Sequence, residues 1–201
     1  NVFDTAFIYN NGKSDEYLGR WINSRGLEND VIVLGKGAHT PDCYPEVIRD
    51  QLLKSLSRLK IDCLDIYCLH RDNKDIPVGE FIDALDELKN EGLIKVLGAS
   101  NWSLVRFKEA INYAEENNKN PFEVLSNNFS LADMVEPVWP GCESSSKKDF
   151  KEFLRKKSIS LFPWSSQARG FFLKSTAKES YHPADPNFKE QKRVWHSKEN
   201  L

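Results

Sequence analysis

An acid, a cation and an imidazole stand at the ends of three short apolar runs in this chain. Val2-Phe3 leads into Asp4, Val31-Ile32-Val33-Leu34-Gly35 into Lys36, and Cys63-Leu64-Asp65-Ile66-Tyr67-Cys68-Leu69 into His70-Arg71. Runs this short and this rich in β-favouring residues read as strands buried on both faces. In parallel α/β architectures the strand C-termini build the site, so polar residues there read as chemistry more readily than at the opposite ends. A lysine beside a carboxylate can stabilise the phenolate of a nearby phenol, and Tyr9 follows Asp4 by five residues. Such a phenol can protonate a carbonyl oxygen as hydride reaches the carbon, with His70 polarising the same oxygen.

Positioning these residues takes a regular alternation of strand and helix. After Asp4 and the turn Asn10-Asn11-Gly12-Lys13, a helix begins at Ser14 with Asp15 and Glu16 in its first turn. Tyr17, Leu18, Trp21 and Ile22 are its expected buried stripe, and Gly26 its stop. Strand 31–37 follows, then a helix from Pro45 with Ile48, Leu52, Leu56 and Leu59 on one face, then strand 63–69. A helix closed by Gly92, a strand 94–99 ending in Ser100-Asn101-Trp102, and a helix capped by Ser103 come next. Strand 123–129 carries Ser126-Asn127-Asn128-Phe129 from its tip; a Pro/Gly/Trp/Ser loop over 132–146, a helix around Phe150 and a sixth strand 159–164 succeed it. Residues 174–187 read as polar loop and 188–200 as a helix. Six such units with short connections imply a parallel sheet with right-handed crossovers, either doubly wound or a (β/α)8 TIM barrel. Polar residues leaving every tip favour the barrel, and no GxGxxG follows the first strand as a dinucleotide-binding Rossmann domain would require.

Four separated motifs, Phe3-Asp4-Thr5-Ala6-x-x-Tyr9, Gly35-Lys36, Leu69-His70-Arg71-Asp72 and Gly98-Ala99-Ser100-Asn101, resemble the signatures of the aldo-keto reductase superfamily in order and spacing. The resemblance implies a (β/α)8 barrel that binds NADP(H), less often NAD(H), without a Rossmann fold, and reduces an aldehyde or ketone to an alcohol. Asp4, Tyr9, Lys36 and His70 fall on the family's catalytic tetrad, with Tyr9 as general acid. Ser100 and Asn101 would hold the nicotinamide carboxamide, and Trp164 falls where the family stacks an aromatic ring on the nicotinamide. Ser126 stands at the family's usual glutamine, with Asn127 as a substitute for the amide contact. Ser165, Ser166, Gln167, Arg169 and Gly170 occupy the loop that wraps the pyrophosphate in relatives. The family's first strand and its eighth strand have no counterpart in these 201 residues, so the sequence is expected to be one barrel domain cut at both ends, holding about six of eight units.

Each residue alone has a plainer reading: Asp4 as a turn former, Lys36 as a solvated strand end, His70 as a buried histidine, Tyr9 as core. Trp102, Trp139 and Trp164 read as walls of a substrate pocket, Trp21 and Trp195 as core, and His39, His182 and His196 as structural. With 28 basic and 30 acidic residues interspersed, the chain offers no field for nucleic acid. It has no apolar run of membrane-spanning length and no zinc-spaced Cys/His pairs, and Cys43, Cys63, Cys68 and Cys142 read as reduced thiols of a cytoplasmic protein. Two other functions compete: a cofactor-binding redox-sensing subunit without turnover, and a lyase using Lys36 as a Schiff-base nucleophile.

Overall fold

In the computed structural model, residues 1–172 and 188–200 are described. The polar loop expected at 174–187 lies outside them. Six parallel strands form one curled sheet in the order β1 to β6, each beside its successor in sequence, and helices cover its outer face. The strands are β1 (Val2–Asp4), β2 (Ile32–Gly37), β3 (Leu64–Leu69), β4 (Ile94–Ala99), β5 (Val124–Leu125) and β6 (Ser160–Leu161). The helices are α1 (Lys13–Arg25), α2 (Pro45–Leu59), α3 (Val78–Asn90), α4 (Leu104–Glu116), α5 (Lys148–Lys156) and α6 (Phe188–Trp195). This is an incomplete (β/α)8 barrel.

Alternation along each strand sorts the side chains. Val33, Leu64, Tyr67, Leu69, Leu97 and Leu125 join the helices in the main core, while Leu34, Ile66, Cys68 and Val124, with Val96 and Phe162 beside them, form a separate apolar cluster inside the curl. The inward residues share one parity, and continuing it to the tips brings Asp4, Lys36, His70, Ser100 and Ser126 to the same side.

The helices differ from the sequence expectation in detail. In α1, Tyr17 is exposed and packs near Arg20; the buried positions are Asp15, Gly19 and Ile22, with Leu18 and Trp21 half-buried. The stripe is rotated because Asp15 has inward partners: it accepts from Thr5 Oγ1 at 2.5 Å and from Ser55 Oγ at 2.9 Å, tying α1 to the segment after β1 and to α2. Gly19 is required where it packs on the Leu59 backbone, since an added Cβ would collide with the Leu59 carbonyl. Pro45 opens α2 as its first residue, and the Ser103 side chain accepts from the Arg106 N–H to cap α4.

Three segments are shorter than expected. The fifth and sixth strands pair over two residues each, and α6 ends at Trp195. Beyond Leu125 the pairing thins to isolated bridges of Asn128 with Ser144 and Trp164, and side-chain amides reinforce it. The expected loop at 132–146 crosses the barrel mouth, pinned where the Ser145 N–H donates to the Asn128 carbonyl at 2.9 Å. It packs with α6 in a small core of Ala132, Val138, Ala168, Phe171, Val194 and Trp195, so Trp195 is core as read from sequence.

Candidate active site

A cavity of about 650 Å³ opens among the C-terminal strand tips, and Asp4, Tyr9, Lys36 and His70 all line it. Lys36 is 3% exposed, yet its ammonium is held on two sides: it donates to Asp4 Oδ1 at 2.5 Å and to the Thr5 carbonyl at 3.0 Å. The Asp4 side chain is half exposed, so the pair is open towards the cavity. Lys36 Nζ lies 5.1 Å from the centroid of the Tyr9 ring, and the edge of that ring meets the His70 imidazole with centroids 5.6 Å apart.

His70 is fixed through its backbone, whose N–H donates to the Gly37 carbonyl at 2.6 Å, and its Nδ1 is buried with no partner among the described residues. Burial above all, then the charges of Lys36, His39 and Arg71, lower its pKa to about 2. His70 is therefore a neutral imidazole at any physiological pH, able to hydrogen-bond a carbonyl oxygen without carrying charge.

On the other side of the mouth, Ser100, Asn101, Ser126, Trp164 and Ser165 line the same cavity. Ser100 Oγ donates to the Ser126 carbonyl at 2.6 Å, and Asn101 Nδ2 donates to Ser100 Oγ at 3.0 Å and to the His70 carbonyl at 3.3 Å. The Trp164 indole N–H is buried without a partner among the described residues, and its ring sits 6.0 Å from that of Trp139. Ser166, Gln167, Arg169 and Gly170 follow in a tight turn outside the cavity lining. The Arg169 side chain pairs with Glu190 of α6 at 2.5 Å and stacks near Trp139.

Two expectations are corrected here. Trp102 is not a pocket wall: it is wholly buried in the helix layer between Phe81 and Phe122, and its Nε1 donates to the Arg71 carbonyl at 3.2 Å. Asn127 is not free to replace a glutamine. Its Oδ1 accepts from the Asn101 and Trp102 N–H groups at 2.6 and 3.3 Å while its Nδ2 donates to the Trp102 carbonyl at 2.8 Å.

Sequence reasoning passed over His39, whose ring meets that of His70 edge-on at 4.7 Å and which also lines the cavity. Its position three residues after Lys36, in the same strand-tip segment, was the available signal.

The sequence matches the aldo/keto reductase family over residues 1–201. The chain belongs to that family. The NADH-specific methylglyoxal reductase of Escherichia coli (strain K12) is 26% identical over 222 residues, covering 100% of this chain and 61% of that protein. An aldo-keto reductase of Strobilurus tenacellus is 33% identical over 111 residues, 54% of this chain and 32% of that protein. Among solved structures, an aldo-keto reductase of Klebsiella pneumoniae in complex with NADPH superposes with a TM-score of 0.69 at 25% identity, covering 87% of this chain and 55% of that one. The glycerol dehydrogenase of Gluconobacter oxydans superposes with a TM-score of 0.70 over 94% of this chain and 57% of that one; at 22% identity this likeness concerns the fold. The chain thus spans only part of the length of these relatives.

Proposed function

We propose that the protein, as a member of the aldo/keto reductase family, reduces an aldehyde or ketone to an alcohol with NADPH, and less readily with NADH. The observation that carries this reading is the meeting of a phenol, a lysine–aspartate pair and a neutral imidazole in one cavity at the strand tips.

The residues present suit the nicotinamide end of such a cofactor. Trp164 offers an aromatic face with an N–H unpartnered among the described residues, and the Ser100 hydroxyl and Asn101 amide, held in place by Ser126, His70 and Glu143, line the same cavity. A reduced nicotinamide supplies hydride when bound. Both nicotinamide cofactors are represented among relatives, the Klebsiella enzyme with NADPH and the Escherichia reductase with NADH.

In this reading Tyr9 gives its phenolic proton to the carbonyl oxygen as charge develops there, and His70 hydrogen-bonds the same oxygen. Asp4 holds the Lys36 ammonium in place beside the Tyr9 ring. Trp139 and Trp164 exclude water from one wall.

Lys36 donating to both a carboxylate and a carbonyl suits a cation better than the nucleophilic amine a Schiff-base lyase needs. The test is steady-state oxidation of NADPH and NADH by the complete protein with a panel of aldehydes and ketones. No turnover with either cofactor refutes the reading and leaves a binding or sensing role; borohydride trapping of substrate on Lys36 would establish the lyase instead.

A further inference from the structure

Carbonyl reduction as argued above makes no use of Arg71, although this residue lines the same cavity. The residue is 7% exposed, and no carboxylate among the described residues pairs with it. The adjacent Asp72, the obvious partner, is taken by Arg106, which reaches both its oxygens at 2.9 to 3.3 Å. Arg71 Nη1 donates to the His70 carbonyl at 3.0 Å and Nη2 to Cys142 Sγ at 3.6 Å, while the buried Nε–H has no partner among the described residues. Cys142 supplies no counter-charge, since burial above all raises the pKa of its thiol and keeps it protonated.

The charges around the cavity are therefore unbalanced. Asp4 is the only acid among the described lining residues and is committed to Lys36, which leaves one guanidinium over; burial lowers the pKa of both nearby imidazoles, His39 and His70. A buried cation without a counter-ion is costly, and a planar guanidinium is shaped to take a planar anion through two parallel hydrogen bonds.

We propose that Arg71 anchors a carboxylate borne by the substrate, so that the protein acts on carbonyl compounds carrying an acid group. The substrate assignment rests on the reductase reading; the anion site does not.

The first arm of the test therefore avoids turnover. Benzoate and the neutral benzamide are titrated calorimetrically into the complete protein saturated with NADP+. Benzoate should bind at least about 30-fold more tightly, as befits a desolvated charge pair, and Arg71→Gln should erase the difference while Arg71→Lys keeps part of it. Glutamine can still donate to the His70 carbonyl, so this variant removes charge without emptying the site.

The second arm compares kcat/KM for 4-carboxybenzaldehyde and 4-carbamoylbenzaldehyde with NADPH. Arg71→Gln should lower the first by about 30-fold or more and the second by less than about threefold. Equal binding of benzoate and benzamide by the unaltered protein overturns the proposal, as does a variant that weakens NADPH binding or slows both aldehydes alike. Charge-selective binding through Arg71 with neither aldehyde turned over would uphold the anion site and refute the reductase reading alone.

Discussion

The two sides of the barrel mouth are built by different means. On the side that carries Lys36 and His70, strands β2, β3 and β4 run six residues each, and continuous parallel pairing brings their tips into line. On the side that carries Ser126 and Trp164, β5 and β6 pair over two residues each, and side-chain amides reinforce the isolated bridges beyond: Asn127 clamps the Asn101-Trp102 backbone, and Asn128 Nδ2 donates to the Trp164 carbonyl at 3.2 Å. Proton transfer tolerates little misplacement: Lys36 sits on the regular ladder, His70 just past its tip, and Tyr9 in the short helical turn that follows β1. The other wall must close around a flat ligand, and a few amides suffice to shape it.

The largest effect should come from the ladder side. Tyr9→Phe removes a general-acid step, worth roughly 10²–10⁴-fold in kcat, and should leave cofactor affinity nearly unchanged. Stopped-flow and steady-state rates on the complete protein with NADPH check this, and near-normal turnover would end the assignment of Tyr9. Lys36→Met acts on the same step and also leaves Asp4 without its cation, so both rate and stability should fall. Adding it to Tyr9→Phe should slow the reaction little further, because residues working as one unit do not add. Additive losses would mean that the two act separately.

The amide side should respond in stability. Asn127→Ala strips partners from two backbone N–H groups and one carbonyl that are buried around Asn101 and Trp102, at a cost of about 3 kcal/mol. Thermal unfolding should show a fall in Tm, together with weaker cofactor binding because Asn101 loses its support. A variant as stable as the parent would show that the strand pairing alone holds this wall.

What the sequence revealed follows the same division. Apolar runs and their parity exposed β1 to β4 and the convergence of Asp4, Lys36 and His70, because a ladder imposes a period of two that composition makes visible. The amide wall has no period: Ser126-Asn127-Asn128-Phe129 reads as the tip of a seven-residue strand, and only the fold reveals that Asn127 bonds back to a neighbouring loop. Trp102 was misplaced for a related reason. A tryptophan just past a strand tip can turn to the mouth or to the helix layer, and here Phe81 and Phe122 draw it outward. Arg71 is equally ambiguous in sequence, since Asp72 beside it suggests a local pair that Arg106 pre-empts.

The smallest expected effect concerns pH and tests whether the ladder side holds His70 neutral. An unfolded histidine titrates near its ordinary value of about 6.5, whereas the folded one does so only near pH 2. Between those values the unfolded chain binds the extra proton, so stability rises with pH across that window and is lost as pH falls below about 6.5. A single group of this kind contributes a slope of at most about 1.4 kcal/mol per pH unit. His39, its own pKa lowered mainly by burial, faces His70 and adds in the same sense; the charges of Lys36 and Arg71 add to burial at His70, and that of Arg71 does so at His39. His70→Gln should therefore flatten the acid limb of stability between pH 6.5 and 5 without removing the part that belongs to His39. Its kcat should fall less than that of Tyr9→Phe, because an amide still donates to the carbonyl oxygen. Urea unfolding of the complete protein at pH 5, 6 and 7 measures the slope directly. An unchanged slope in the variant would mean that His70 already takes up its proton in the folded state, and that its role is to donate as an imidazolium.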